Sequence, residues 1–134
     1  MSISPKKALL EEYARVAHAL SAPARLSILE QLAQGERGVE ALAEKTGLSL
    51  ANCSQHLQQL RRSSLVTSRR DGKAVIYQLS DAKILNLMDF LRIVAERNLA
   101  QVERILRDLS RDEDAPEPVS RADLAFRLAK GTVT

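Results

Sequence analysis

Near the N-terminus, Leu9, Leu10, Tyr13, Val16, Ala17 and Leu20 recur three and four positions apart, the spacing of one stripe on an amphipathic helix that opens after Pro5. Ser21 and Pro23 mark the start of a second helix, because serine can accept from free amides and proline's fixed φ suits a first turn. Leu26, Ile28, Leu29 and Leu32 carry its apolar face toward a stop near Gly35. Over residues 38–46, Val39, Leu42 and Ala43 predict a short third helix, closed by Gly47, which readily takes the left-handed conformation. Ser49 then caps a fourth helix on which Leu50, Cys53, Leu57 and Leu60 recur on the core side. A short helix, a tight turn at Thr46-Gly47-Leu48 and a capped helix make a helix-turn-helix arrangement.

After Leu65 the period shifts from helical to alternating, predicting strands over 66–70 and 75–79 joined by an Asp71-Gly72 turn. Val75, Tyr77 and Leu79 fall on one face of the second strand. From Ser80 or Asp81 to about Leu109 a long helical pattern runs through Ile84, Leu87, Met88, Leu91, Val94, Leu99, Val102, Ile105, Leu106 and Leu109. A helix this long and this apolar exceeds what a small monomeric core covers, which suggests a partner chain. Residues 1–110 read as one mainly α-helical domain with a β-hairpin wing. Residues 111–134 read as an acidic, proline-containing linker and a short helix opening at Ser120, with Leu124, Phe126 and Leu128 before Gly131.

The fourth helix is unusual in its polar face. Asn52, Ser54, Gln55, Gln58 and Gln59 are all uncharged, where a solvated face ordinarily carries Lys and Glu. An Asn or Gln amide pairs one donor with one acceptor, matching an adenine edge in the major groove, and Ser can serve several bases. For the helix alone, a plain solvated face explains the pattern as well.

Charge placement separates the two readings. The chain's formal +3 conceals a cluster: over 49–80 the cations Arg61, Arg62, Arg69, Arg70 and Lys73 face only Asp71, while over 111–118 four anions face only Arg111. A helix that reads bases needs cations beside it to hold phosphate, and Arg61-Arg62 at its end and the hairpin tip supply them. On this reading Asn52, Ser54, Gln55 and Gln58 read bases. Thr46, Ser49, Arg61 and Arg62 hold phosphate, with the amides of the Ser49-capped terminus assisting, and Arg69, Arg70 and Lys73 meet the backbone or minor groove from the wing.

Other classes fit less well. There is no Gly-rich phosphate loop, no G-x-S-x-G and no H-E-x-x-H, so no enzyme and no cofactor is expected. Aromatics at 3% leave no stacking platform for single-stranded nucleic acid. One cysteine and two histidines, His18 and His56, form no zinc pattern, and a packing or phosphate-contact role suits the histidines better. Cys53 reads as a small buried hydrophobe, with a thiol switch beneath the reading helix as the sharper alternative. The absence of a signal-peptide run and of an apolar stretch of about 20 residues points to a cytoplasmic protein without a membrane partner. The rival function is a helical protein-interaction module without specific DNA binding.

The runs ALSAPARLSILEQLAQGE and VEALAEKTGLSLANCSQHLQQLRRSSLVTSRRDGKAVIYQLSD resemble the winged helix-turn-helix of ArsR/SmtB-type bacterial transcriptional repressors, over about residues 6–109. The likeness rests on L-x-x-P-x-R-L-x-I-L, on S-x-x-x-x-S-x-H-L and on a basic wing ending in Y-x-L. It implies a homodimer joined through the first and last helices, bound to a pseudo-palindromic double-stranded operator and released by an inducer. Family members that sense metals carry a cysteine pair in the segment matching residues 35–42, or histidines on the last helix; neither is present here, so no metal site is expected. The run EPVSRADLAFRLAKGTVT resembles the linker that leads, in a subset of the family, into a rhodanese domain. Sulfur species, an oxidant, an unfamiliar metal or no ligand at all stay open as the inducer.

Overall fold

The computed structural model describes residues 4–113. The order is α1 (Pro5–Ala19), α2 (Pro23–Ala33), β1 (Arg37–Gly38), α3 (Val39–Thr46), α4 (Leu50–Arg62), β2 (Val66–Asp71), β3 (Ala74–Leu79) and α5 (Lys83–Glu113). Its contacts divide it into two units, one up to Leu85 and one from Asn86 onward, the second being, among the described residues, α5 beyond its first three residues. The short helix expected to open at Ser120 lies outside the described residues.

In the first unit, Ile28, Leu29 and Leu32 of α2 are buried together with Leu42 and Ala43 of α3, Cys53, Leu57 and Leu60 of α4, and Leu65, Val66 and Tyr77 of the sheet region. α2 packs on α3, α4 and β3, so these side chains form one core that holds α4 by its apolar side. Burial at this scale is the main stabilising term, at roughly 25 cal/mol per Å² of apolar surface. Leu50 departs from expectation: it is 51% exposed, because it is the first residue of α4 and projects before the helix reaches the core.

The ends of α3 and α4 explain the tight connections. Gly47 has φ 74° and its neighbour Leu48 donates its amide to the Ala43 carbonyl at 3.1 Å, a left-handed stop that turns the chain directly into α4. Ser49 accepts from the Asn52 amide at 3.1 Å and caps α4 as the sequence predicts. The far end of α4 repeats the device without glycine: Ser64 has φ 61°, and the Leu65 amide donates to the Leu60 carbonyl at 3.0 Å. Ser21 does not cap α2. Its hydroxyl donates to the His18 carbonyl at 2.6 Å, closing α1, while Ala22 precedes Pro23 at the start of α2 without a side-chain cap.

The wing is a three-stranded antiparallel sheet in the order β1-β3-β2 rather than a hairpin alone. Arg37 pairs with Tyr77 and Gly38 with Ile76, so the segment after α2 is stitched to the wing. Asp71 pairs with Ala74, which shifts the turn by one residue from the expected Asp71-Gly72 to Gly72-Lys73. Only Gly72 of these two has a positive φ, 65°, the pattern of a type II′ turn.

α5 starts on an Asp81 turn, whose carboxylate accepts from the Lys83 amide at 2.8 Å, and it runs through residue 110 to Glu113. Phe90, Leu91, Ile93, Val94, Val102, Ile105, Leu106 and Leu109 are all exposed on it. In the first unit, Leu9, Leu10 and Tyr13 of α1 are exposed as well. Among the described residues no helix is long and apolar enough to cross a membrane.

Candidate nucleic-acid interface

α4 is amphipathic in an unusual sense: one side is sealed into the core and the other carries amides. Asn52, Gln55 and Gln58 are exposed, and Ser54 is half-buried at the edge. Burial of Cys53, Leu57 and Leu60 at 0% exposure fixes the rotation of the helix, so the amide face is presented as a rigid surface. The four residues expected to read bases thus lie on one helix, three of them open to solvent.

The cations are arranged less uniformly. Arg61 and Arg62 are exposed in the last turn of α4, where Arg62 Nη2 donates to Gln59 Oε1 at 3.3 Å. Arg70 and Lys73 are exposed at the wing tip. Arg69 is already engaged: its guanidinium is hydrogen-bonded and ion-paired to Glu36, from the segment that leads into β1. Both side chains are nearly half-exposed, so the pair is weak by itself and is open to exchange with another anion.

At the other end of α4, Ser49 is exposed and its hydroxyl oxygen is spent on the Asn52 amide. Thr46 is half-buried, and its hydroxyl donates back to the Leu42 carbonyl at 2.6 Å. That bond secures the last turn of α3 and leaves the Thr46 hydroxyl only its acceptor capacity.

Arg25 is a residue beside α4 that sequence reasoning missed. Nε donates to the Ala19 carbonyl at 2.6 Å and Nη2 to the His18 carbonyl at 3.0 Å, while Nη1 lies 3.3 Å from His56 Nδ1. One guanidinium therefore closes the C-terminus of α1 and touches α4. Its only signal in the sequence is the arginine of L-x-x-P-x-R-L-x-I-L, whose partners a linear pattern does not reveal.

Cys53 lies at 0% exposure, its Sγ 3.9 Å from the Val39 carbonyl. Burial pushes the thiol above its ordinary pKa, which keeps it protonated and weakly nucleophilic. The core role is the one these surroundings favour. Among the described residues no group of three His, Cys, Asp or Glu is placed to hold a metal ion.

A core-locked helix with an amide face, preceded by a tight turn and followed by a basic three-stranded wing, defines a winged helix-turn-helix protein. Residues 20–69 match the family model described as a helix-turn-helix domain. The chain is 42% identical over 130 residues to the HTH-type transcriptional regulator Rv0324 of Mycobacterium tuberculosis, covering 96% of this chain and 56% of that protein. It is 41% identical to Mb0332 from Mycobacterium bovis, whose solution structure is of a homodimeric winged helix-turn-helix DNA-binding domain, fragment 1–100, of a possible ArsR-family regulator. That likeness has a TM-score of 0.66 and covers 72% of this chain and 89% of the other. NolR from Sinorhizobium fredii follows at 37% identity and TM-score 0.62, over 70% of this chain and 95% of its own. The chain belongs to the ArsR/SmtB-type winged helix-turn-helix transcriptional regulators.

Proposed function

We propose that the chain acts as a homodimeric repressor that binds a pseudo-palindromic site on double-stranded DNA and is released by an inducer. The observation that carries this reading is the exposed, uncharged Asn52-Gln55-Gln58 face of α4, held rigid by the core and flanked by Arg61, Arg62, Arg70 and Lys73. The two copies of α4 would enter successive major grooves about 34 Å apart. Asn52, Ser54, Gln55 and Gln58 address base edges; Thr46, Ser49, Arg61 and Arg62 address phosphate; Arg69, Arg70 and Lys73 follow the backbone or minor groove from the wing. In this reading the protein is cytoplasmic, has no catalytic role, and buries its exposed α1 and α5 residues against the second copy.

Within the family we place the chain in the subset that continues into a rhodanese domain, on the likeness of the residues from Glu117 onward. We further propose the division into a DNA-binding and dimerisation domain, 1–110, and a linker with a short helix, 111–134. A longer gene product showing sulfurtransferase activity would support the subset; one lacking it would remove the chain from that subset.

The test of the main reading is the affinity for a duplex from the DNA upstream of the chain's own coding region, against a shuffled duplex, at two salt concentrations. A preference that persists at physiological salt supports the repressor. Equal, weak binding that collapses with salt leaves the protein-interaction module instead.

A further inference from the structure

Arg25 of α2, four α4 residues (Gln55, His56, Gln58 and Gln59) and Arg62 at the end of that helix line a hollow of about 420 Å³, open to solvent. The lining holds two arginines, one histidine and three amides, and no carboxylate. A concave site with that inventory is complementary to an oxyanion. Arg25 is also preorganised: of the five N–H donors of a guanidinium, its contacts to Ala19, His18 and His56 use three and lock the plane, leaving one N–H on each terminal nitrogen. Donation from Arg25 to His56 Nδ1 keeps the proton of the neutral ring on Nε2, which makes that atom a donor as well.

Two of the lining residues, Gln55 and Gln58, are the amides assigned above to base edges, so a duplex lying on α4 brings its backbone alongside the hollow. We propose that the hollow seats one backbone phosphate of the bound duplex in each half-site, with Arg25, His56 and Arg62 as its donors. The inference rests on the reading of α4 as a DNA-contacting helix and adds to it a fixed registration point. Because the same guanidinium grips the last carbonyls of α1, the phosphate is held from a scaffold outside the reading helix.

A thermodynamic cycle between protein and linkage tests this. A duplex selected by the wild-type protein from a random pool is rebuilt with one neutral methylphosphonate at a time, and each is measured with wild type, Arg25→Gln and His56→Gln. One linkage in each half-site is expected to weaken wild type about tenfold when neutralised and Arg25→Gln less than about twofold, since that variant has already lost its charge-assisted bond there, with His56→Gln, which keeps Arg25, falling between the two. The salt slope should fall by about 1 per half-site for Arg25→Gln, which removes a cation, and stay near the wild-type value for His56→Gln, which replaces a neutral ring. Arg25→Gln also loosens the end of α1, whereas His56→Gln leaves the Arg25 bonds to Ala19 and His18 in place and so separates contact from folding. If every linkage costs the same in all three proteins while wild type still selects a duplex, the seat is overturned and DNA reading stands. If wild type selects no duplex, both fall.

Discussion

Gln55 and Arg70 are both exposed, one on α4 and one on the wing, and the proposed function gives them different chemistry. Gln55→Ala should cost on the order of 1–3 kcal/mol at its preferred base and relax specificity there, whereas Arg70→Ala should weaken all sequences alike and flatten the salt slope. Binding curves on a set of single-base operator variants distinguish the two, and identical behaviour would dissolve the division of labour. Glu36 gives a prediction of opposite sign. It occupies Arg69 in the free protein, so Glu36→Gln should tighten binding to specific and non-specific duplexes together and steepen the salt slope; weaker binding would mean the pair positions the wing instead. The buried Cys53 thiol has its pKa raised by desolvation, so its contribution to stability is full below the ordinary thiol value and declines as pH rises from there through the raised one. Cys53→Ala should remove that alkaline loss, read as urea midpoints across pH, and a thiol reagent should modify the native protein no faster than it unfolds. At this scale the sequence was legible where one helix supplied the pattern: the amide face of α4 and the burial of Cys53 follow from spacing alone. Glu36 and Arg69 are 33 positions apart, and Arg25 and His56 are 31 apart. Only the β1-β3 pairing and the packing of α2 on α4 bring such groups together, and neither is written in local periodicity.

The elements were more legible than their joints. Helical spacing, glycine and serine punctuation, and the change of period after Leu65 locate α1 to α5 and both strands of the hairpin, because each signal is physical and local. β1 escaped notice: Arg37 and Gly38 are too few to alternate, and they are extended only because the edge of β3 is there to receive them. Ser21 was misread for a related reason, since a serine between two helices can serve either end and the His18 carbonyl was the nearer need. The joint after α4 is the least readable, for nothing marks Ser64 as a left-handed residue. Its φ of 61° is retained because the Leu65 and Ser80 amides and the Ser80 hydroxyl, which donates to the Ser64 carbonyl at 2.7 Å, fix the chain on both sides. Relief of the side-chain penalty exceeds the added freedom of the unfolded chain at such a site, so Ser64→Gly should raise stability by about 0.5–1 kcal/mol. Thermal unfolding at fixed protein concentration checks it, and a loss of stability would show that the serine side chain supports the turn.

Among the described residues, large apolar side chains stand exposed on α1 and on α5. Tyr13 is 58% exposed and Phe90 68%, and the run from Val102 to Leu109 adds four more exposed aliphatic side chains. The proposed pairing of two copies would bury these residues, so Phe90→Glu should shift the protein toward the monomer in sedimentation at micromolar concentration while its far-UV helix signal persists. An unchanged sedimentation coefficient would move the contact elsewhere. The same exposed residues bear on how a cell would use such a protein. Pairing is a mass-action step, so below its dissociation constant the number of binding-competent pairs rises roughly as the square of the number of chains made. Silencing then acquires a threshold in synthesis rate, and a period of growth that dilutes the chains can lift it with no small molecule involved.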